Sequence, residues 1–506
     1  MERGRTAYLL VMLILFVLGF LAFLAIAGYG DRLAPEWMSQ VLEFQGWQIS
    51  SGMLAWGAFG LGAVVFLLLL VRQLVRRFRG RRSSGQEVTE HDLELPGSQP
   101  ISALPAFAES VAQVLGARSP SAPQLVNQLL RAGIALGASD IHLTPDREVA
   151  RASLRVNGVL YELASIPAHL HPAVVSRIKV ISELEIFVKN RPQDGRIQMN
   201  TTGFGARVSI LPTNHGEKVV LRLASHDPAR YDIDALGMTA RVRDTLKAVL
   251  NRNQGLIVLT GPTGSGKTTT MYASLLHIHA TRGDETNIVT LEDPIEFDFP
   301  AFSQTQIEAS RGLTFAAGLR SLLRQDPDVI LMGEIRDDES ADIGMRAAMT
   351  GHLLLTTVHA DNAAGVFPRL VQIGVDPVQL ASATACVISQ RLCRRLCPAC
   401  RQEAPVSGAQ RQQLALLGIP EPPAGPFYST RGCEKCVGKG FDGRMALYEL
   451  LVVSSTLRDL VAERAPSHRI HEQACQEGMR PLLLDGLAKA RAGLVTLDEV
   501  LRVASA

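Results

Sequence analysis

The chain has 506 residues, which excludes a single compact unit at about 100–200 residues per hydrophobic core. Its 51 Lys and Arg nearly balance 49 Asp and Glu, a formal net charge of +2, so bulk charge gives no reason to expect a nucleic-acid partner.

From the N-terminus, residues 7–28 (AYLLVMLILFVLGFLAFLAIAG) carry no charge, and about 20 such residues at 1.5 Å each cross the ~30 Å hydrocarbon layer of a bilayer. A second apolar run, 53–71, ends in Arg72, Arg76, Arg77, Arg79, Arg81 and Arg82. Arg3 and Arg5 precede the first run, whereas the connecting segment holds Asp31, Glu36 and Glu43 against a single Arg32. The positive-inside rule therefore puts both termini in the cytoplasm. Two other readings compete: a cleaved signal peptide, whose apolar core of roughly 7–15 residues is shorter than this run, and a helical pair buried in a soluble core, which would carry a polar stripe. The expectation is a transmembrane hairpin over 1–82, an inner-membrane anchor held in lipid. Residues 83–118 open with SSGQEVTEHDLELPGSQP, polar and punctuated by Gly and Pro, and predict a linker.

Over 119–228 the texture changes again. RASLRVNGVLYEL and RVSIL alternate apolar and polar residues as a half-buried antiparallel sheet does, and SAPQLVNQLLRAGIALG has helical periodicity behind a Ser cap. This segment predicts a small α+β domain.

The segment 229–506 opens a different architecture. GLIVLT is a β-rich run leading into Gly261, Pro262, Thr263, Gly264, Ser265, Gly266, Lys267, Thr268 and Thr269, followed by a helix-compatible stretch. That strand–loop–helix order is what a P-loop requires: glycines let successive amides point at phosphate oxygens, Lys267 reaches the β and γ phosphates, and Thr268 holds Mg²⁺. NIVTLEDPIEF (287–297) ends a second strand in Glu292, Asp293 and Glu296. LRQDPDVILMGEIRD (323–337) delivers Glu334 at the end of a third, where a carboxylate can orient or deprotonate water. TGHLLLTTVHA (350–360) adds a fourth strand with His352 and His359 at its ends. Each cluster alone reads as a solvated loop or a packing histidine; their recurrence at strand ends predicts a parallel α/β sheet with a nucleotide edge.

All seven cysteines lie beyond residue 385. Cys397 with Cys400 and Cys433 with Cys436 form two Cys-x2-Cys knuckles, a donor set suited to tetrahedral Zn²⁺ within an insertion over about 393–445. Cys386, Cys393 and Cys475 lack such spacing and read as ordinary thiols.

From about residue 120 to the C-terminus these stretches resemble the GspE/PilB family, the ATPases of type II secretion and type IV pilus assembly, with LRQDPDVILMGEIRD similar to that family's signature throughout. The resemblance implies a RecA-like P-loop core preceded by a PAS-like domain, assembled as a homo-hexamer that hydrolyses ATP with Mg²⁺. It makes 287–297 the aspartate box with Glu292 its catalytic acid, Glu334 the Walker B glutamate, and His352 and His359 the histidine box. It brings Arg207 and Arg222 toward the phosphates; the competing reading is exposed strand residues or partners for Glu217. The four-cysteine insertion implies an assembly motor acting on a polytopic inner-membrane platform, and through it on pilin or pseudopilin. The family's usual recruitment domain is replaced here by the hairpin, which reads as a tether. Two further readings stay open: a conjugation or DNA-translocation ATPase, which needs a Lys/Arg band lining a pore, and a nucleotide-sensing scaffold that does not hydrolyse.

Overall fold

The computed structural model describes residues 42–44, 47–49, 99–199, 204–223 and 231–504. The expected spans at 7–28 and 53–71 lie outside the described residues; among those described, no helix is long and apolar enough to cross a membrane. In the segment connecting the two runs, β1 (Leu42–Phe44) and β2 (Trp47–Ile49) pair antiparallel.

The linker expected over 83–118 ends earlier than its composition suggests. A 3₁₀ turn at Ile101–Ala103 leads into a helix at Leu104–Leu115, and Ile101, Leu104 and Val111 are buried in the core of the domain that follows. The physical reason is visible in ISALPAFAESVAQVLG. Its apolar residues recur at 104, 107, 111 and 114, a helical period that the preceding polar stretch conceals. A second helix, Ala122–Ala135, starts at Ser121, whose hydroxyl caps the Gln124 N–H.

These helices cover one face of a six-stranded antiparallel sheet. Its strands are β3 (Ala138–Pro145), β4 (Val149–Val156), β5 (Val159–Pro167), β6 (Gln193–Met199), β7 (Phe204–Thr213) and β8 (Gly216–Leu223), in the order β5-β4-β3-β8-β7-β6. Alternation decides the faces: Ile141, Leu143, Ala152, Leu154, Val208, Ile210, Val219 and Leu221 are buried. The opposite face carries Arg207 and Arg222, which sit side by side in register on β7 and β8.

The remainder is built on a seven-stranded sheet in the order β11-β10-β12-β13-β9-β14-β17. Its members are β9 (Gly255–Thr260), β10 (Ile288–Glu292), β11 (Ser303–Gln306), β12 (Val329–Met332), β13 (Leu353–Val358), β14 (Thr384–Leu396) and β17 (Phe441–Val452), with only β17 antiparallel. The central strands are buried on both faces, as apolar runs without alternation must be. Ile257, Leu259, Leu331 and Leu355 point into one core with Tyr272 and Leu275; Val258, Ile330, Met332 and Leu354 point into the other with Phe367 and Leu380. Each such side chain contributes roughly 1.5–3 kcal/mol on burial. Because the strands run parallel, the residues following Thr260, Met332 and Val358 emerge at one edge.

The cysteine insertion occupies 397–440, between the end of β14 and the start of β17, and contains the pair β15 (Arg401–Ala404) and β16 (Phe427–Thr430). Cys393, at the expected edge of the insertion, is a buried residue of β14. The turn Glu434–Cys436 lies against Ile101–Ala103, and Val437 packs on the core of the antiparallel domain.

Candidate active site

The loop after β9 turns into the helix Lys267–Arg282 through three glycines with positive φ: Gly261, Gly264 and Gly266. At Gly261 the requirement is absolute. Its φ is 144° and a Cβ there would stand 2.3 Å from the Gln390 carbonyl oxygen. The resulting cradle directs the first amides of the helix outward, with Thr268 in its first turn. Lys267 donates from Nζ to the carbonyls of Gly261 (2.8 Å) and Pro262 (3.1 Å). Burial pushes its ammonium below the ordinary range, opposed by the Glu334 carboxylate and reinforced by Arg391.

Glu334 follows β12 at this same edge. Its backbone is fixed from both sides by Gly333 N–H to Leu291 O (2.8 Å) and Ile335 N–H to Thr357 O (3.1 Å), and Asp337 caps the next helix by accepting from Ser340 N–H at 2.7 Å. The Glu334 carboxylate pairs with Arg336, and His359 Nε2 lies 3.8 Å from its other oxygen. That ion pair raises the Arg336 guanidinium above its usual value. The turn after His359 is tied back to the P-loop strand, since Thr260 Oγ1 both donates to Ala360 O and accepts from Ala360 N–H at 2.9 Å. Lys267, Glu334 and His359 thus share one rim.

His352 does not join them. It precedes β13 and its carbonyl receives the Gly255 N–H, at the start of the P-loop strand; its Nδ1 lies 3.0 Å from Ala347 O. Six strand residues, and so seven residue steps, separate the two histidines, about 23 Å at 3.3 Å per residue. Parallel strands bring only their C-terminal ends to the P-loop, and His352 sits at the other end of β13 from His359.

Glu292 is also unlike a free strand-end carboxylate. It is 4% exposed. One oxygen accepts from the Tyr272 phenol, and the other from Thr290 Oγ1 (2.6 Å) and Gln304 Nε2 (3.0 Å). Of the other acids of this stretch, Asp293 lines, with Pro294, a cavity of about 510 Å³ whose opposite wall carries Arg196, Arg207 and Arg222 of the antiparallel sheet. Across this cleft Arg207 Nη2 donates to Glu296 Oε1 at 2.9 Å, and Arg196 Nη1 to Gln306 Oε1 at 3.4 Å. Arg222 pairs instead with Asp140 (3.2 Å), and Glu217 is taken by the buried Lys179 at 2.7 Å, so neither arginine partners Glu217. The charge of Asp293 acts on Arg336 as well, which links the cavity electrostatically to the Glu334 rim.

Two residues beneath the loop escaped the sequence reading. Gln390 and Arg391 continue β14 past Ser389, the last residue paired with β9. Thr270 donates to Gln390 Oε1 (2.8 Å), and Arg391 Nη2 donates to the Asp361 carbonyl (2.9 Å). The signal was there: Ser389, Gln390 and Arg391 are consecutive polar residues that interrupt the strand directly after its apolar run Ala385–Ile388.

At the insertion, Cys397, Cys400, Cys433 and Cys436 place their sulfurs within 4.8 Å of one another. Sγ–Sγ separations of 3.9, 3.8 and 3.7 Å link Cys397 to Cys433, Cys400 to Cys436 and Cys433 to Cys436. A disulfide requires about 2.05 Å, whereas a tetrahedron of Zn–S bonds near 2.3 Å has edges of about 3.8 Å, so the donor set fits zinc. Main-chain N–H groups of Cys433 and Gly440 each approach Cys436 Sγ at 3.1 Å. Burial works against ionisation of that thiol, yet these donors outweigh it and hold the thiol at about 7. Gly440 cannot be replaced without moving the turn: a Cβ would lie 2.2 Å from Thr430 Oγ1.

Comparison with known proteins follows the same outline. The family model described as "Type II/IV secretion system protein" matches residues 117–502. Over 382 residues the chain is 42% identical to the type IV pilus assembly ATPase PilB of Myxococcus xanthus, covering 74% of this chain and 67% of that one. It is 41% identical over 384 residues to the type II secretion system ATPase E of Vibrio cholerae, 75% of each. Among solved structures, the pilus retraction motor PilT with bound ADP superposes with a TM-score of 0.50 at 26% identity, covering 74% of this chain and 96% of that one. The Legionella pneumophila ATPase DotB gives 0.56 over 78% of this chain and 99% of that one; at 20% identity it supports the fold alone.

Proposed function

From the premise that the chain belongs to the type II/IV secretion system protein family and is an ATPase of its secretion and pilus motors, we propose a membrane-anchored hexameric motor that drives assembly of a pilus or pseudopilus through an inner-membrane platform. The observation that carries the reading is the shared rim: Lys267, Glu334 and His359 at one sheet edge, linked through Arg336 and Asp293 to a cleft lined by arginines of a second domain. Lys267 and the loop amides bind the phosphates of ATP, and Glu334 orients the attacking water with His359 beside it. Arg207 and Arg222 offset charge that develops on the transferred phosphoryl group when the two domains close. Mg²⁺ at Thr268 would neutralise charge on the β and γ phosphates. Zinc would cross-link the two knuckles, a structural role supported by four thiols converging with no open position among them.

The tether is supported by the two charge-free runs and the arginines behind them. It holds the motor at high local concentration beside its membrane target. Phosphate release by the purified chain tests the reading, together with fractionation of cells expressing a chain lacking residues 1–82. The motor reading falls if the chain releases no phosphate; the tether falls if the truncated chain remains wholly membrane-bound.

A further inference from the structure

Tyr272 lies five residues past Lys267 on the P-loop helix and is fully buried. Its ring packs edge-on against Phe299 and Tyr231, at centroid separations of 4.9 and 5.6 Å. A phenylalanine would serve that packing equally well; the hydroxyl does something else. It donates to Glu292 and accepts from the Glu296 N–H at 3.3 Å. Glu296 is the residue whose side chain receives Arg207 across the domain cleft. Gln304 braces the same segment from its other side, donating to Glu292 and to the Phe297 carbonyl at 3.0 Å each and accepting from the Phe299 N–H at 2.7 Å.

We infer that Tyr272 is a positioning residue that couples the phosphate-binding helix to the arginine-bearing domain. Its phenol joins the helix that begins at Lys267 to the buried Glu292 and to the 293–299 segment that follows it and presents Glu296 to Arg207. A shift of that helix is carried to Glu296 through one buried hydrogen-bonding group, because an unmet partner in such a site is costly and the segment follows rather than lose it. Burial, followed by the Glu292 charge, raises the phenol far above its ordinary range, so it stays protonated and keeps its donor role throughout the working pH range. The inference rests on the reading of Arg207 as a catalytic-side arginine, and its test separates the two.

The test compares wild type, Tyr272→Phe, Arg207→Ala and the double variant. For Tyr272→Phe, kcat is expected to fall roughly tenfold, the effect of one hydrogen bond to a charged group, with affinity for a fluorescent ADP analogue within about twofold of wild type. The two changes should not add, the double variant being about as slow as the slower single. A second readout needs no turnover: binding of a slowly hydrolysed ATP analogue should protect β7 amides from hydrogen exchange in wild type and not in Tyr272→Phe. Unchanged kcat, ADP affinity falling in step with kcat, additive effects, or equal protection of β7 in both proteins would each overturn the coupling. If Tyr272→Phe does not fold, Gln304→Leu removes the opposite brace and must give the same kcat-selective loss and the same non-additivity with Arg207→Ala, or the inference fails. A wild-type chain that does not hydrolyse ATP but shows β7 protection dependent on Tyr272 refutes the motor reading and leaves the coupling standing.

Discussion

The nucleotide rim and the cysteine knuckle are both convergent clusters of polar side chains, but they are assembled in opposite ways. The knuckle draws its four thiols from two Cys-x2-Cys turns within 40 residues, and each pair is made by local backbone geometry. The rim draws Lys267, Glu334 and His359 from the ends of three strands, aligned by the register of a buried sheet. The lesson is that strand-end side chains are placed by a sheet whose apolar core holds without them, whereas turns with little core of their own are held by the side chains that converge there. Rim substitutions should therefore act on turnover at nearly constant stability. Knuckle substitutions should act on stability, with turnover following only the fraction of folded chain.

The sharpest contrast comes from Lys267→Ala. Phosphate release should drop by on the order of 1000-fold through loss of charge compensation, with thermal unfolding little altered because the side chain is only partly buried. Glu334→Gln should slow hydrolysis about 100-fold while retaining ATP, as single-turnover and filter-binding measurements would show. Normal turnover by that variant would remove Glu334 from the role assigned to it. On the other side, Cys436→Ser or chelation should lower stability by several kcal/mol, since metal affinity is folding free energy. Metal analysis should give one zinc per chain; a chain that purifies without metal and unfolds at an unchanged temperature would break the comparison.

A smaller effect probes the junction of the two regions. Glu499, 2% exposed, sits where the C-terminal helix Leu497–Ala504 docks on β14. Burial pushes its carboxyl up, but hydrogen bonds from Arg502 and Arg394 prevail and hold it at about 2. With an unfolded value near 4.3, the group contributes stability that is fully present above that pH and is lost as pH falls toward 2, about 2–3 kcal/mol in all before screening at the half-exposed arginines. Urea unfolding of wild type at pH 5.5 and 3 should show this loss, and Glu499→Gln should flatten it. Smallest of all, His352→Asn should change kcat less than about twofold, against a larger loss for His359→Asn. Equal losses would mean that the far end of β13 reaches the chemistry.

Much of this organisation was legible from residue order alone. The P-loop needs no partner to be recognised, because its glycines, lysine and threonine answer to phosphate geometry at fixed local spacing. The same holds for the knuckles. The arginine-lined cleft was legible only by likeness to a family, since nothing in ARVS or VLRL distinguishes a residue facing a neighbouring domain from one facing water. The structured start of the antiparallel domain was hidden by the polar stretch before it. His352 and His359 bracket one strand, and only the arrangement of the sheet decides which of its two ends faces the P-loop.

Residue order by itself determined which chemical groups the chain owns and, through short-range stereochemistry, how the phosphate loop and thiol turns are shaped. Tertiary structure alone decided that Glu334 stands beside Lys267 with His359 next to it, that Glu292 is buried under Tyr272, and that Gln390 and Arg391 underlie the loop. Those outcomes depend on strand order and register, which arise from burying two faces of one sheet at once, a constraint shared among residues more than a hundred positions apart.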